Sequence, residues 1–238
     1  MRKIELVIVV LIVFGSLAAC SGKIPAADLG GFATEEPYRP TLSPKPDWLV
    51  RWLNEPVCPP PCWEKITPGK TSFTDAQAIA NTLSGTKVSY VDDDSISLMS
   101  NQYHAYNFAL LLSRGDANIQ EIYLTTQYTS LELGDIVNRY GFPDEMISFG
   151  SFDDPSAMHW IDLLYYDLGM VITFDSLPSD PWNRVNLDPS IYIGTIAFYA
   201  PQLEYYFNSS QWLGKVVSPA IKLNGYGDYD IPEGVLYP

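Results

Sequence analysis

The chain has 238 residues, with 28 Asp and Glu against 14 Lys and Arg, a formal charge of −14, two histidines and three cysteines. So large a Lys/Arg deficit excludes a phosphate-binding face for nucleic acid, and His104 and His159 alone leave little material for a metal centre. A hydrophobic content of 47% with 13% aromatic residues excludes a wholly disordered chain.

Arg2 and Lys3 precede an unbroken apolar run from Leu6 to Phe14, which Gly15-Ser16 interrupts before Leu17-Ala18-Ala19-Cys20. The pattern predicts a secretory leader over residues 1–19, its apolar stretch being too short to span a bilayer as a helix. Leu-Ala-Ala-Cys resembles the lipobox of bacterial lipoproteins, which implies cleavage between Ala19 and Cys20 and acylation, palmitate included, of Cys20. Several acyl chains anchor stably at about 0.8 kcal/mol per buried methylene, where one chain would be marginal. The resemblance implies an extracytoplasmic protein held by lipid at a cell surface or outer membrane, the membrane being its first partner.

Residues 20–47 carry Pro25, Pro37, Pro40, Pro44 and Pro46 with few apolar side chains, the composition of an extended tether. Loss of residues 1–19 removes Arg2, Lys3 and Glu5 and leaves −15. From Cys20 to Lys87 the charges cancel at seven of each sign, so the acidity lies after Val88, where 20 acidic residues face five basic ones. Such a body repels anionic headgroups and stands off the membrane. Cys58 and Cys62, in C-P-P-P-C-W, are expected to pair in an oxidising compartment. Straight polyproline would hold their Cα atoms about 12 Å apart, so the bridge requires a bend such as a cis X-Pro bond.

A folded body is expected over residues 48–238. Trp48, Leu49, Trp52 and Leu53 predict a short amphipathic helix that ends before Pro56 and docks on the core. A weak internal repeat follows at a constant offset of 57. Ser72 and Asp75, then Ala76, Ile79, Ala80 and Leu83, match Thr129 and Glu132, then Leu133, Ile136, Val137 and Tyr140. In each copy a hydroxyl cap, an acidic third position and apolar residues at i, i+3, i+4 and i+7 predict a helix with one buried face. Gly85 and Gly141 mark the helix ends, the second with Pro143 beyond it.

Strands are expected after each helix. The first set is Val88–Val91, Ser95–Met99, Tyr106–Ser113 and Ile119–Thr126, with Arg114-Gly115-Asp116 as a turn. The second is Glu145–Gly150, Trp160–Asp167 and Met170–Asp175, turning at Asp167-Leu168-Gly169, with Ile191–Tyr199 as a central strand. A helical turn over Pro201–Phe207 and an irregular tail from Ser218, with Tyr226, Tyr229 and Tyr237 available to pack down, complete the chain. The fold class is therefore α+β, two degenerate helix-plus-antiparallel-sheet repeats packed as one domain, spanning about 66–126 and 127–199 with an extension over 200–238.

The strings T-x-x-E-L-G-D-I-V-N-R-Y-G-F-P-D from Thr129 and L-L-Y-Y-D-L-G-M-V-I-T-F from Leu163 resemble the small outer-membrane assembly lipoproteins of the SmpA/OmlA type. They are also similar to the β-lactamase-inhibitor-protein fold. C-W-E-K-I-T-P-G-K-T-S from Cys62 resembles the opening of uncharacterised bacterial lipoproteins with C-W-x-G-I-T-P-G, departing at Lys65 where that group usually has glycine. These resemblances imply a lipid-anchored α+β module and carry no catalytic residues with them.

Candidate chemistry is sparse. Asp92-Asp93-Asp94 lacks the alternating ligands, glycine and distal glutamate of an EF-hand and reads as a solvated turn, as do Asp228 and Asp230. Asp153, Asp154, Asp162 and Asp167 could supply a glycosidase carboxylate pair. No nucleophile elbow, S-x-x-K or phosphate-cradling loop occurs, and His104 and His159 sit among aromatics as packing or surface residues. No catalytic residue, metal ligand or cofactor is assigned. With 16 Tyr, 10 Phe and 6 Trp, the closely spaced Tyr103, Tyr106, Tyr165 and Tyr166 are the expected binding face for an envelope protein or glycan, since tyrosine is enriched at binding surfaces. The expected function is a non-catalytic, envelope-associated binding module; the alternative is a cell-surface hydrolase using an acidic pair.

Overall fold

A computed structural model describes residues 45, 47–100, 107–113, 115, 117–126, 129–151, 160–175, 184–200, 215–233 and 235–236. The leader, Ala19, Cys20, Tyr103, Tyr106, His104, Asp153, Asp154, His159 and the expected turn over Pro201–Phe207 lie outside them. Helix α1 (Asp47–Asn54) buries Trp48, Leu49, Trp52 and Leu53 and gives way at Pro56, as the spacing of those side chains predicts. Lys45, just ahead of it, reaches Asp135 at 2.9 Å.

Cys58 and Cys62 form a disulfide with Cα atoms 5.6 Å apart. The required bend is present: the Pro60–Pro61 bond is cis, and the Cys62 amide donates to the Pro59 carbonyl at 3.0 Å. Trp63 and Ile66 then exchange backbone hydrogen bonds of 2.9 and 2.8 Å around Glu64 and Lys65, whose φ values are +48° and +72°. Two positive φ values in a two-residue loop define a type I′ turn, which favours Asn and Gly. Lys65, the position where the motif departs from glycine, therefore holds a left-handed conformation that glycine adopts more cheaply.

Helix α2 (Phe73–Ala80) begins as predicted, Ser72 Oγ accepting the Asp75 amide at 3.1 Å. Helix α3 (Leu133–Tyr140) differs from expectation. Its cap is Glu132, paired with Asp135 in a reciprocal capping box, so the helix begins three residues after the Thr129 cap predicts. The reason is local: the Thr129 hydroxyl is buried and donates to the Thr126 carbonyl at 2.8 Å, and so belongs to the preceding turn.

The strands are β1 (Thr86–Val91), β2 (Ser95–Ser100), β3 (Asn107–Leu112), β4 (Glu121–Thr125), β5 (Glu145–Ser151), β6 (Trp160–Tyr165), β7 (Met170–Asp175), β8 (Arg184–Leu187), β9 (Thr195–Tyr199), β10 (Lys215–Val217), β11 (Ile221–Lys222), β12 (Gly227–Asp230) and β13 (Val235–Leu236). All but two join one 11-stranded sheet in the order β1-β2-β3-β4-β9-β7-β6-β5-β10-β13, with β11 also on β5, while β12 and β8 form a separate ribbon. Every pairing in the large sheet is antiparallel. The class is α+β with more sheet than the sequence predicts. The tail supplies β11, β12 and β13 where an irregular segment was expected, and β8 precedes the expected central strand.

Alternation gives the sheet two different faces. Ile96, Leu98, Leu111, Ile122, Leu124, Met146, Ile161, Leu163, Ile172, Ile196 and Phe198 share one buried cluster with the apolar faces of all three helices and with Val185 and Leu187 of the ribbon. Ile147, Phe149, Leu164, Val171, Ala197, Tyr199 and Val217 form a smaller cluster on the far face. At about 25 cal/mol per Å² of apolar surface removed from water, the helix-facing layer is the main driving force for folding.

Candidate functional site

The far face carries polar groups that a purely structural core would not need. On β4, Ile122 and Leu124 point to the helices, so Glu121 and Tyr123 point away. The Glu121 side chain is fully buried. Tyr123 donates to Glu121 Oε2 at 2.7 Å, and its oxygen lies 2.9 Å from the Tyr199 hydroxyl, the two rings meeting edge to face. A tyrosine has one proton to donate; with Tyr123's spent on Glu121, Tyr199 donates to Tyr123. Burial holds the Tyr199 hydroxyl well above its ordinary value of 10, and Tyr123, Glu121 and Asp162 add to the shift. Tyr199 therefore stays neutral, which suits a hydrogen-bond donor and not a nucleophile.

A second row lies beside this one. Thr125 pairs with Thr195, Thr195 with Thr173, and Thr173 with Asp162, so three hydroxyls and a carboxylate cross four strands. Thr173 Oγ1 donates to Asp162 Oδ1 at 2.5 Å, and Asp162 is 3% exposed. Further along, Phe149 and Trp160 stack with centroids 5.7 Å apart. At the strand end, Tyr166 donates to Glu145 Oε2 at 2.6 Å and its amide donates to Asp144 at 2.8 Å. Burial and that carboxylate raise the Tyr166 hydroxyl. The face thus combines aromatic rings, hydroxyl donors and three carboxylates, Glu121, Asp162 and Glu145.

Of the four tyrosines expected on a binding face, Tyr103 and Tyr106 lie outside the described residues, and Tyr165 and Tyr166 separate. Tyr166 lies half-buried beside the far face. Tyr165 does not: it is 3% exposed in the helix-side core and donates to the Gly141 carbonyl at 3.1 Å. Adjacent strand residues face opposite ways, so one member of an adjacent pair had to turn inward. Asp162 and Asp167 do not form a pair either, Asp162 being buried on the far face and Asp167 exposed in the β6–β7 turn.

Asp92 Oδ1 accepts the Asp94 and Ser95 amides at 2.9 and 2.6 Å, and the Asp94 carboxylate accepts the Gly115 amide at 2.8 Å. The aspartate run therefore organises a turn, and those amide bonds lower the Asp92 carboxyl. Asp228 is held by Asn186 at 2.8 Å and by Arg184 at 2.5 Å, joining the two ribbon strands. No group of three metal-ligating side chains and no helix long and apolar enough to cross a membrane occurs among the described residues. Glu121, Tyr123 and Tyr199 were not singled out in the sequence. The period-two reading of Glu121-Ile122-Tyr123-Leu124-Thr125 is the signal that finds the first two, and the same alternation along Thr195–Tyr199 puts Tyr199 on that face. No protein-family model, curated protein or solved structure matches the chain.

Proposed function

We propose that this chain is a lipid-anchored extracytoplasmic binding module that uses the partly exposed Tyr123, Trp160 and Tyr166 of the far sheet face to hold an envelope protein or glycan, with the buried Glu121, Asp162 and Tyr199 fixing that face from within. The carrying observation is the line from Tyr199 through Tyr123 to the buried Glu121, with Asp162 beside it. Aromatic faces, fixed hydroxyl donors and carboxylate acceptors are what saccharide and cationic peptide surfaces require. The disulfide fits an oxidising compartment, and Leu-Ala-Ala-Cys supports acylation of Cys20. Among the described residues the hydrolase alternative retains the buried Asp162, with Asp153 and Asp154 outside them; a neutral Tyr199, hydrogen-bonded to Tyr123 and close to Asp162, suits binding better than acid–base exchange.

The finer reading of the fold is two degenerate repeats, α2 with β1–β4 and α3 with β5–β7 and β9, whose last strands meet at the sheet centre. Matched hydrogen bonds support it. The Phe73 amide donates to the Ala117 carbonyl and the Leu133 amide to that of Ile191, while Ile119 donates to Thr71 and Ile193 to Leu131. Ser72 bridges Asn118 as Glu132 bridges Tyr192, three residues before β4 and β9 respectively. The repeat offset is then 60 at the helices, from Phe73 to Leu133.

The test is pull-down and glycan-array binding with the full chain, together with the variants Glu121→Gln and Tyr123→Phe. Retention on an envelope protein or glycan that both variants abolish supports the module. Equal retention by all three removes the far face from the reading, and glycan cleavage lost in Asp162→Asn would establish the hydrolase. Failure of the wild type to take up labelled fatty acid, together with membrane partitioning of Cys20→Ala, would overturn the lipid anchor.

A further inference from the structure

The large sheet ends in two unlike edges. At one end lies β13, two residues long; at the other lies β1, six residues long, whose outer side pairs with no strand among the described residues. An open edge presents backbone N–H and C=O groups ready to extend the sheet. Two large apolar side chains stand exposed on this one, Tyr90 at 58% and Val91 at 37%.

Alternation along β1 is reset once. Val88 pairs with Leu98 and Tyr90 with Ser97, so Ser89 is the extra residue of a β-bulge, and its hydroxyl turns back onto β2 to donate to the Ser97 carbonyl at 3.0 Å. Leu98 and Ile96 belong to the helix-side core, so their partners Val88 and Val91 face that side although three residues apart. Lys87, opposite Met99, and Tyr90, opposite Ser97, face the other side. Asp92 follows Val91 and donates its amide to the Ser95 carbonyl at 3.1 Å, which carries the alternation on and sets it on the face of Lys87. From Lys87 to Asp92 the strand thus runs base, valine, Ser-Tyr, valine, acid, and the faces of the four outer residues are symmetric about the Ser89–Tyr90 bond.

A strand of this kind complements itself. Laid antiparallel on a second copy about a twofold axis between Ser89 and Tyr90, Lys87 comes opposite Asp92 and Val88 opposite Val91. Each pair occurs twice, with both members on one face. A slip of one residue sets Val88 against Asp92 or Tyr90 from the opposite face, so the register is specified. The turn amides take Asp92 Oδ1, which leaves Oδ2 to receive the lysine of the second copy. An edge lysine and a bulge both discourage the addition of unrelated strands. A second copy answers both, because it offers a carboxylate opposite the lysine and the same kink opposite the bulge. The formal charge of −14 on each chain opposes the approach, so the contact is a weak one.

We propose that this chain forms a twofold dimer by antiparallel β1–β1 pairing, with Lys87 of each copy against Asp92 of the other. The 11-stranded sheet then continues across the axis, and its two faces each become continuous between copies. The pairing does not depend on what the far face binds.

Sedimentation equilibrium of the full chain, with detergent micelles in excess, should show a monomer–dimer equilibrium with a Kd on the order of 100 μM. Carbodiimide coupling, which joins an amine to a carboxylate without a spacer, should link Lys87 to Asp92. Within one extended strand these residues lie about 16 Å apart, so that bond forms only between copies. Lys87→Asp sets like charges opposite each other at both ends of the pairing and should weaken the dimer at least about tenfold. Val91→Lys, at an exposed position that leaves the Asp92 turn intact, should weaken it to a similar extent. An equimolar mixture of Lys87→Asp with Asp92→Lys should dimerise as the parent does, because both ion pairs are restored with their signs exchanged. A parent chain that stays monomeric at about 1 mM overturns the proposal, and so does a dimer that neither Lys87→Asp nor Val91→Lys weakens.

Discussion

The two faces of the sheet are built from the same strands by alternation, yet they are made of different material. Toward the helices lie Ile, Leu, Met and Phe with Tyr165, together with Trp48, Trp52 and Trp63 from the segments that cover them. On the other side, aliphatic Leu164, Val171 and Ala197 are interrupted by Glu121, Asp162, Tyr123 and Tyr199. The first composition maximises the apolar surface removed from water. The second gives up part of that gain to hold carboxylates and hydroxyls in fixed hydrogen-bonded positions. Both faces bury apolar surface, and the second adds the polar groups on which the proposed binding function rests.

Truncation should separate the faces most sharply. Phe198→Ala, on the helix side of β9 beneath Trp52, should lower stability by about 3–5 kcal/mol, read as a reduced denaturation midpoint with an unchanged slope. Its neighbour Tyr199→Phe, on the far side of the same strand, should cost only about 1–2 kcal/mol while reducing any partner binding; equal losses for the two would erase the distinction. Gly169, at φ +54°, lies where an added Cβ would come within 3.1 Å of the Tyr199 carbonyl and 3.2 Å of Pro61 Cβ. Gly169→Ala should therefore destabilise by about 1–3 kcal/mol in a thermal melt. Lys65→Gly should act in the opposite direction, stabilising by up to about 1 kcal/mol because glycine reaches the left-handed turn without the Cβ penalty.

Alkaline titration sharpens the same contrast. Tyr165 on one face and Tyr166 and Tyr199 on the other are all raised, chiefly by burial. A raised folded-state value means the folded chain retains these protons where the unfolded chain loses them. Their contribution to stability is complete below pH about 10 and falls as pH rises beyond it. Tyrosinate absorbance from the buried tyrosines should appear together with loss of near-ultraviolet circular dichroism. Ionisation well before unfolding would show that they are accessible.

Much of the helix side was legible in the sequence because one periodic stripe and one cap determine it. Trp48, Leu49, Trp52 and Leu53 gave α1, and Ser72 with Asp75 gave the start of α2. Thr129 misled because a threonine hydroxyl can serve a turn as readily as a cap. The far face was harder to see. Glu121 sits inside an otherwise apolar strand, and its burial depends on partners 76 residues apart in the Tyr123–Tyr199 contact, which no local pattern encodes. The ribbon of β8 and β12 was missed because Arg184-Val185-Asn186-Leu187 is short, and because the glycines at 225 and 227 read as irregular chain although Tyr229 folds back to donate to the Gly225 carbonyl at 2.6 Å.

The ion pair between Lys45 and Asp135 also has a mechanical meaning. Among the described residues, traction on the N-terminal segment meets this contact first, and then the buried Trp48 and Leu49. Helix α1 is held through its buried side chains, with no backbone hydrogen bond to a strand among the described residues, so it can separate without breaking a strand pairing. Beyond it the Cys58–Cys62 ring resists straightening, since a covalent link spans those residues. Helix α1 is thus placed to yield under load, leaving the two sheet faces assembled behind it.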